Sequence, residues 1–199
     1  MSITVPLESI QLNPGSSVTI RNATWQQYLD LTNYLDQESI NYRASYFNHI
    51  IELMSPDFKN ENPKERLSGL VVYFCIEKEI DFYSCGSTDI KRPELAGKQP
   101  DSSFCFGTRK EKLDLAIEVI HTSGKVKKLH QIYLLLGVPE LWIWKDDQVS
   151  FYQLKCEVYE LIDESLNLPG LTVDLINQCL AISNEREAAI EFRKAIKQY

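Results

Sequence analysis

The sequence predicts a mixed α/β fold: a single domain with a mixed central sheet flanked by helices. Three observations carry that expectation. Segments with helical spacing alternate with short strand-like runs, in the order helix, strands, helix, strands, helix, strands, the arrangement that layers helices on a sheet. No stretch rich in Gly, Ser or Pro divides the chain. Finally, 199 residues, 44% hydrophobic and 25% charged, suffice to bury a core without disulfides or structural metal.

Residues 1–22 read as an N-terminal arm with a short strand at 17–20, residues 23–180 as the domain, and residues 181–199 as a C-terminal amphipathic helix. Thr24 is placed to cap a first helix, because its hydroxyl can accept from a backbone N–H of the following turn WQQYLDLTNYL. Residues 45–53 read as two short strands turning at Asn48-His49. The stretch from Pro56 to Pro63 is polar and turn-rich, and a second helix is expected from Lys64, with Leu67, Leu70, Val71, Phe74 and Cys75 as its apolar stripe.

Downstream, IDFYSCGSTDIKRP reads as a strand with a turn. Asp101 then leads into the short run SSFCF, and the charged hairpin GTRKEK returns into LDLAIEVIHTS, the strongest strand signal of the chain. KVKKLHQIYLLLG is a helix ending at Gly137, which suits the left-handed position after a helix. PELWIWKDD and QVSFYQLK are two strands joined at a Lys-Asp-Asp turn, and CEVYELIDES adds another. The final helix, NEREAAIEFRKAIKQY, has Ala189, Ile190 and Phe192 among its apolar positions. It serves either as a peripheral helix or as a contact in a homodimer.

A net charge of −7 argues against a protein that coats nucleic acid non-specifically, since such domains carry a basic face. It leaves room for a metal site built of carboxylates beside a local basic patch. The five cysteines form no C-x-x-C pair, and several stand in apolar runs, as buried reduced thiols of a cytoplasmic protein do. The N-terminus lacks the pattern of a signal peptide. No apolar run approaches the roughly 20 residues of a membrane span.

The chemistry concentrates at residues 101–118. In LDLAIEVI, alternation puts Leu113, Leu115, Ile117 and Val119 on one face and Asp114, Ala116, Glu118 and Ile120 on the other. Both faces are apolar around Glu118, so its carboxylate needs a partner to be buried: a cation, a hydrogen-bond network or a metal ion. Asp101 lies 17 positions earlier. Pairing through the GTRKEK hairpin would converge the two acids at one sheet edge, where oxygen ligands suit a hard ion such as Mg²⁺. On pattern alone a second reading stands beside this one, with Asp101 a turn residue and Glu118 a core ion-pair partner.

The ordered runs TWQQYL, YFNHIIELMSP, GSTDIKRPE, GKQPD, DLAIEVIHTSG and KLHQIYLLLGVPELWIW resemble the large bacterial family of putative restriction endonucleases, the Uma-type branch of the PD-(D/E)XK nuclease superfamily. The likeness covers roughly residues 23–155. It implies a restriction-endonuclease-like fold and a Mg²⁺-dependent endonuclease, Mn²⁺ substituting, with DNA as substrate. By that resemblance Asp101 and Glu118 are the metal-binding carboxylates, joined by the Val119 backbone carbonyl.

Two departures from the family pattern stand out. Ile120 occupies the place of the superfamily's lysine, and relatives supply that lysine from the following helix in a K-x-x-x-Y pattern. Here Leu129 holds the matching position before Tyr133. Lys128 fits the pattern with one inserted residue, while Lys125 fits the helical stripe of Val126, Leu129, Ile132, Tyr133 and Leu136; both remain candidates. After MSP, relatives carry His-Glu where this chain has Asn60-Glu61, so Glu61 is either a site carboxylate or an exposed first-turn residue. His121 reads as structural or site-facing. The basic clusters Lys91-Arg92, Arg109-Lys110-Lys112 and 125–128 would make a DNA-facing patch if the fold gathers them.

Overall fold

A computed structural model describes residues 10–56, 58–120 and 125–197, with side chains throughout except at 58–61. In chain order the elements are β1 (Ser17–Arg21), α1 (Trp25–Gln37), β2 (Arg43–Phe47), β3 (Ile50–Met54), α2 (Phe58–Glu77), β4 (Phe82–Ser84), β5 (Ile90–Arg92), β6 (Ala96–Lys98), β7 (Ser102–Phe106), β8 (Leu115–Val119), α3 (Lys125–Leu136), β9 (Glu140–Lys145), β10 (Gln148–Lys155), β11 (Val158–Ile162), α4 (Val173–Ala181) and α5 (Glu185–Ile196). Contacts gather these into two compact units. One takes Met1–Phe58 with Asp89–Gln99, the other Lys59–Thr88 with Pro100–Tyr199.

The first unit is an antiparallel sheet in the order β1-β3-β2-β6-β5 with α1 laid against it. Thr24 caps α1 as its sequence predicts: its hydroxyl accepts from Gln27 N–H, and the Gln27 side chain returns to Thr24 N–H at 2.8 Å, so two orphan donors are satisfied reciprocally. Asn48 and His49 both adopt positive φ, 50° and 58°, the conformation that a tight two-residue hairpin requires. Tyr28, Leu31, Leu35, Ala44, Tyr46, Ile51 and Leu53 form the core. The Tyr28 ring lies against Gly97, where a Cβ would stand 2.6 Å from its Cζ.

The second unit is a mixed sheet in the order β11-β10-β9-β8-β7-β4. Every pair is antiparallel except β8 with β9, which run parallel, so the chain must cross over between them. It does so through α3, which ends at Gly137 with φ 70°. The predicted stripe of α2 is buried against Phe104, Leu115, Ile117, Trp142 and Phe151, together with Ile176 and Cys179 of α4 and Phe192 and Ile196 of α5.

Two expectations are corrected. Helix α2 begins at Phe58, six positions before Lys64, and runs through Pro63. The proline forfeits one bond near the helix start, and burial of five apolar side chains further along outweighs it. Helix α4 was not expected at all, although Thr172 caps it by accepting from Leu175 N–H and Asp174 stands in its first turn. Helix α5 turns Ala188, Phe192 and Ile196 into the core and leaves Ile190 exposed. Among the described residues no helix is long and apolar enough to cross a membrane.

Candidate metal centre

Strand β8 is buried along its whole length. Leu115 and Ile117 belong to the core beneath α2, α4 and α5, and alternation turns Ala116 and Glu118 to the opposite face. Strand β7 pairs with β8 so that Ser102 opposes Ile117 and Ser103 opposes Ala116. The next position in that register sets Asp101 opposite Glu118. The two acids therefore stand at the same end of neighbouring strands, Asp101 6% and Glu118 4% exposed.

Each carboxylate is held by a named donor. Asp101 Oδ2 accepts from Val119 N–H at 2.7 Å, taking up a backbone donor at the point where the β7–β8 ladder ends. The Tyr133 hydroxyl, reaching from α3, donates to Glu118 Oε1. Tyr133 is fully buried. Burial first, then the negative charge and hydrogen bond of Glu118, then the charge of Asp101, raise its pKa well above the ordinary phenol value. The phenol thus stays a proton donor, with both acids in its electrostatic surroundings.

The main chain around Asp101 is braced from the turn after β4. Ser87 Oγ donates to the Asp101 carbonyl at 3.1 Å, and Ser103 Oγ donates to the Gly86 carbonyl at 2.8 Å. Ser68 of α2 bonds Ser102 Oγ at 2.9 Å. Sequence reasoning missed these supports. Tyr133 did leave a signal, a phenol inside an apolar stripe, since a buried tyrosine hydroxyl ordinarily finds a partner. Ser87 left none, being brought to Asp101 only by the folding of the turn after β4.

Other candidates fall as follows. Lys125 and Lys128 both lie in the first turn of α3 and are partly buried. At about 100° per residue, Lys125 is roughly 80° and Lys128 roughly 140° around the axis from Tyr133. Ile120, in the place of the superfamily lysine, is buried. Lys91 pairs with Asp89 and Lys110 with Asp114, both at 2.6 Å, so two of the predicted basic clusters are partly neutralised locally. His130 packs between the rings of Tyr152 and Tyr159, at 4.5 and 5.3 Å, and burial lowers its pKa. His121 and the side chain of Glu61 lie outside the described residues.

A second buried acid has a different character. Glu140, 0% exposed, accepts from Trp142 Nε1 at 2.6 Å, Asn167 N–H at 3.1 Å and Asn167 Nδ2 at 2.8 Å. It is a structural carboxylate compensated by three neutral donors. Asp101 and Glu118 differ in being gathered as a pair on facing strands. Two like charges buried together repel unless a proton or a cation offsets them, and an all-oxygen donor set suits a hard divalent ion. Among the described residues no group of three His, Cys, Asp or Glu side chains is positioned for a metal.

A mixed sheet with a helical crossover and paired acids on its adjoining central strands defines the class: a restriction-endonuclease-like α/β protein. Residues 25–182 match the model of the Uma2 family, described as putative restriction endonuclease, and the chain belongs to that family. Among solved structures it is similar to a putative nuclease of DUF820 from Anabaena variabilis, with a TM-score of 0.50 and 15% identity, over 69% of this chain and 90% of that one. At that identity the likeness concerns the fold. No curated protein matches the chain.

Proposed function

We propose that the chain is a nuclease, more narrowly an endonuclease that hydrolyses DNA phosphodiester bonds with Mg²⁺, Mn²⁺ serving in its place. The observation that carries this reading is the buried convergence of Asp101 and Glu118, with Asp101 fixed on the Val119 N–H beside Glu118. Membership of a family described as putative restriction endonuclease supports it.

Asp101, Glu118 and the Val119 carbonyl would hold the ion. Once bound, a divalent cation supplies Lewis-acid polarisation of the phosphate and acidifies a nearby water. The protein does the positioning. Val119 N–H orients Asp101, Tyr133 orients Glu118, and burial keeps bulk water from competing for their oxygens. An amine from the first turn of α3 offsets negative charge building on the phosphate. Both Lys125 and Lys128 are near enough in sequence, and helical geometry favours Lys125.

Nicking of supercoiled plasmid with Mg²⁺ or Mn²⁺ tests the reading. Wild type should nick, chelator should stop it, and Asp101→Asn and Glu118→Gln should fall to background. No nicking above those variants sinks it. Assaying RNA and small phosphodiesters alongside DNA fixes the substrate class.

A second reading, a catalytically decayed nuclease-fold module that binds nucleic acid or protein, is favoured by buried Ile120 where the superfamily's lysine would stand. It predicts binding without turnover. Tight Mn²⁺ binding by calorimetry, lost in Glu118→Gln, counts against it.

A further inference from the structure

Cys85 and Cys105 are brought together in the second unit without any role in the site above. Cys105 lies within β7, one residue from its end, and is fully buried. Cys85 follows β4 directly and remains partly accessible. The β4–β7 register pairs Tyr83 with Cys105, and Cys85 N–H continues the ladder to the Ser103 carbonyl at 2.9 Å. Cys85 thus stands two positions along the ladder from Cys105, with the sulfurs 3.6 Å apart. A disulfide needs them at about 2.0 Å. Closing the remaining distance requires Cys85 to move toward Cys105; it stands just beyond the three-residue strand β4, where the chain turns through Gly86 at φ 56°.

We propose that Cys85 and Cys105 are a disulfide-forming thiol pair, which a peroxide converts reversibly into an intrachain cross-link between the residue after β4 and strand β7. The accessible Cys85 sulfur, as thiolate, attacks one oxygen of hydrogen peroxide. The O–O bond breaks, Cys85 becomes a sulfenic acid, and the departing hydroxide takes up a proton to leave as water. Cys105 then attacks the Cys85 sulfur. The S–S bond forms, the S–O bond breaks, and the sulfenic oxygen leaves as a second water with the Cys105 proton. Two thiols are oxidised by two electrons in all, and one peroxide is reduced to two waters.

The surroundings shape this chemistry. Cys105 Sγ lies 3.6 and 3.7 Å from the carbonyls of Lys110 and Lys112, which hold the buried thiol in place. Burial, reinforced by the hydrogen bond and charge of Cys105, pushes the Cys85 thiol up to about 11, with Arg109 acting in the opposite sense. The pair therefore reacts slowly at neutral pH and faster in alkali, because only the thiolate attacks. The cross-link would also stiffen the turn whose Ser87 braces the Asp101 carbonyl. The thiol pair does not depend on the metal reading, and its chemistry can fail or succeed whether or not the acids bind an ion.

The test is to treat the full chain with excess hydrogen peroxide at pH 8, block the remaining thiols with N-ethylmaleimide, digest, and map peptides by mass. The expected result is a Cys85–Cys105 linked peptide, two hydrogens lighter than its parts, which accounts for two of the five cysteines. Dithiothreitol should restore both thiols. In Cys105→Ser, Cys85 should be trapped as a sulfenic acid by dimedone, and in Cys85→Ser, Cys105 should stay reduced. The initial rate should rise about tenfold per pH unit below the Cys85 pKa. The proposal is overturned if oxidised wild type carries Cys85 and Cys105 unlinked, or if Cys85 pairs instead with the exposed Cys156.

Discussion

The paired acids differ in what replaces them safely. Asp101 is both a candidate ligand and the acceptor for Val119 N–H, so Asp101→Ala would orphan a buried donor at a cost of about 1–3 kcal/mol. Asp101→Asn retains an acceptor. The asparagine variant should therefore melt close to wild type while losing nicking, and the alanine variant should lose both. Tyr133→Phe removes the hydroxyl that orients Glu118 and should weaken Mn²⁺ binding about 10–100-fold, as losses of outer-shell partners do. Calorimetry reads that directly; an unchanged affinity would give the phenol a packing role only. At this scale the sequence singles out the two acids and is silent about what holds them. The acids stand in recognisable local runs, PD and IEV, whereas Ser87 and Tyr133 reach them only through folding.

Single elements show the same division. The α1 cap was readable because Thr24 and Gln27 are three residues apart, and the β2–β3 turn because Asn48 favours positive φ; both signals are local. The start of α2 was misjudged because Pro63 is also a local signal, but burial of Leu67, Val71 and Phe74 is decided by residues far away. Two substitutions test these elements. Thr24→Ala should cost about 1 kcal/mol by urea unfolding. Gly97→Ala should cost about 1–3 kcal/mol, in the range of overpacked cores. Its Cβ would displace the Tyr28 ring and with it the 3.1 Å bond from Tyr28 to Asp89.

For the whole molecule, alkali is the informative stress. Burial raises Cys75 and Cys179 from 9.0 to about 11, and it raises the phenols of Tyr28, Tyr133 and Tyr159 above 10.0. Above pH 9 the unfolded chain loses protons that the folded chain retains, so stability must fall as pH rises. The contribution is complete below pH 9, is lost for the thiols between pH 9 and about 11, and begins to go for the phenols above pH 10. The urea midpoint should be level from pH 7 to 9 and drop beyond. A midpoint unchanged at pH 11 would contradict the burial of these groups. The mixed α/β class was legible from the alternation of patterns. The division of strands between two sheets was not, since β4 and β5 come from a stretch, IDFYSCGSTDIKRP, that read as one strand with a turn.

An ion held by the buried pair of acids at the ends of β7 and β8 would make folding and ion binding a single linked equilibrium. An ion held only by the native arrangement adds stability as the logarithm of its concentration, about 2.7 kcal/mol at a hundred times its dissociation constant. A melting curve then becomes a binding assay that needs no substrate. The transition of the wild type should climb steadily as Mn²⁺ is added and fall back with chelator. That of Glu118→Gln, which loses one of the two candidate ligands, should stay level.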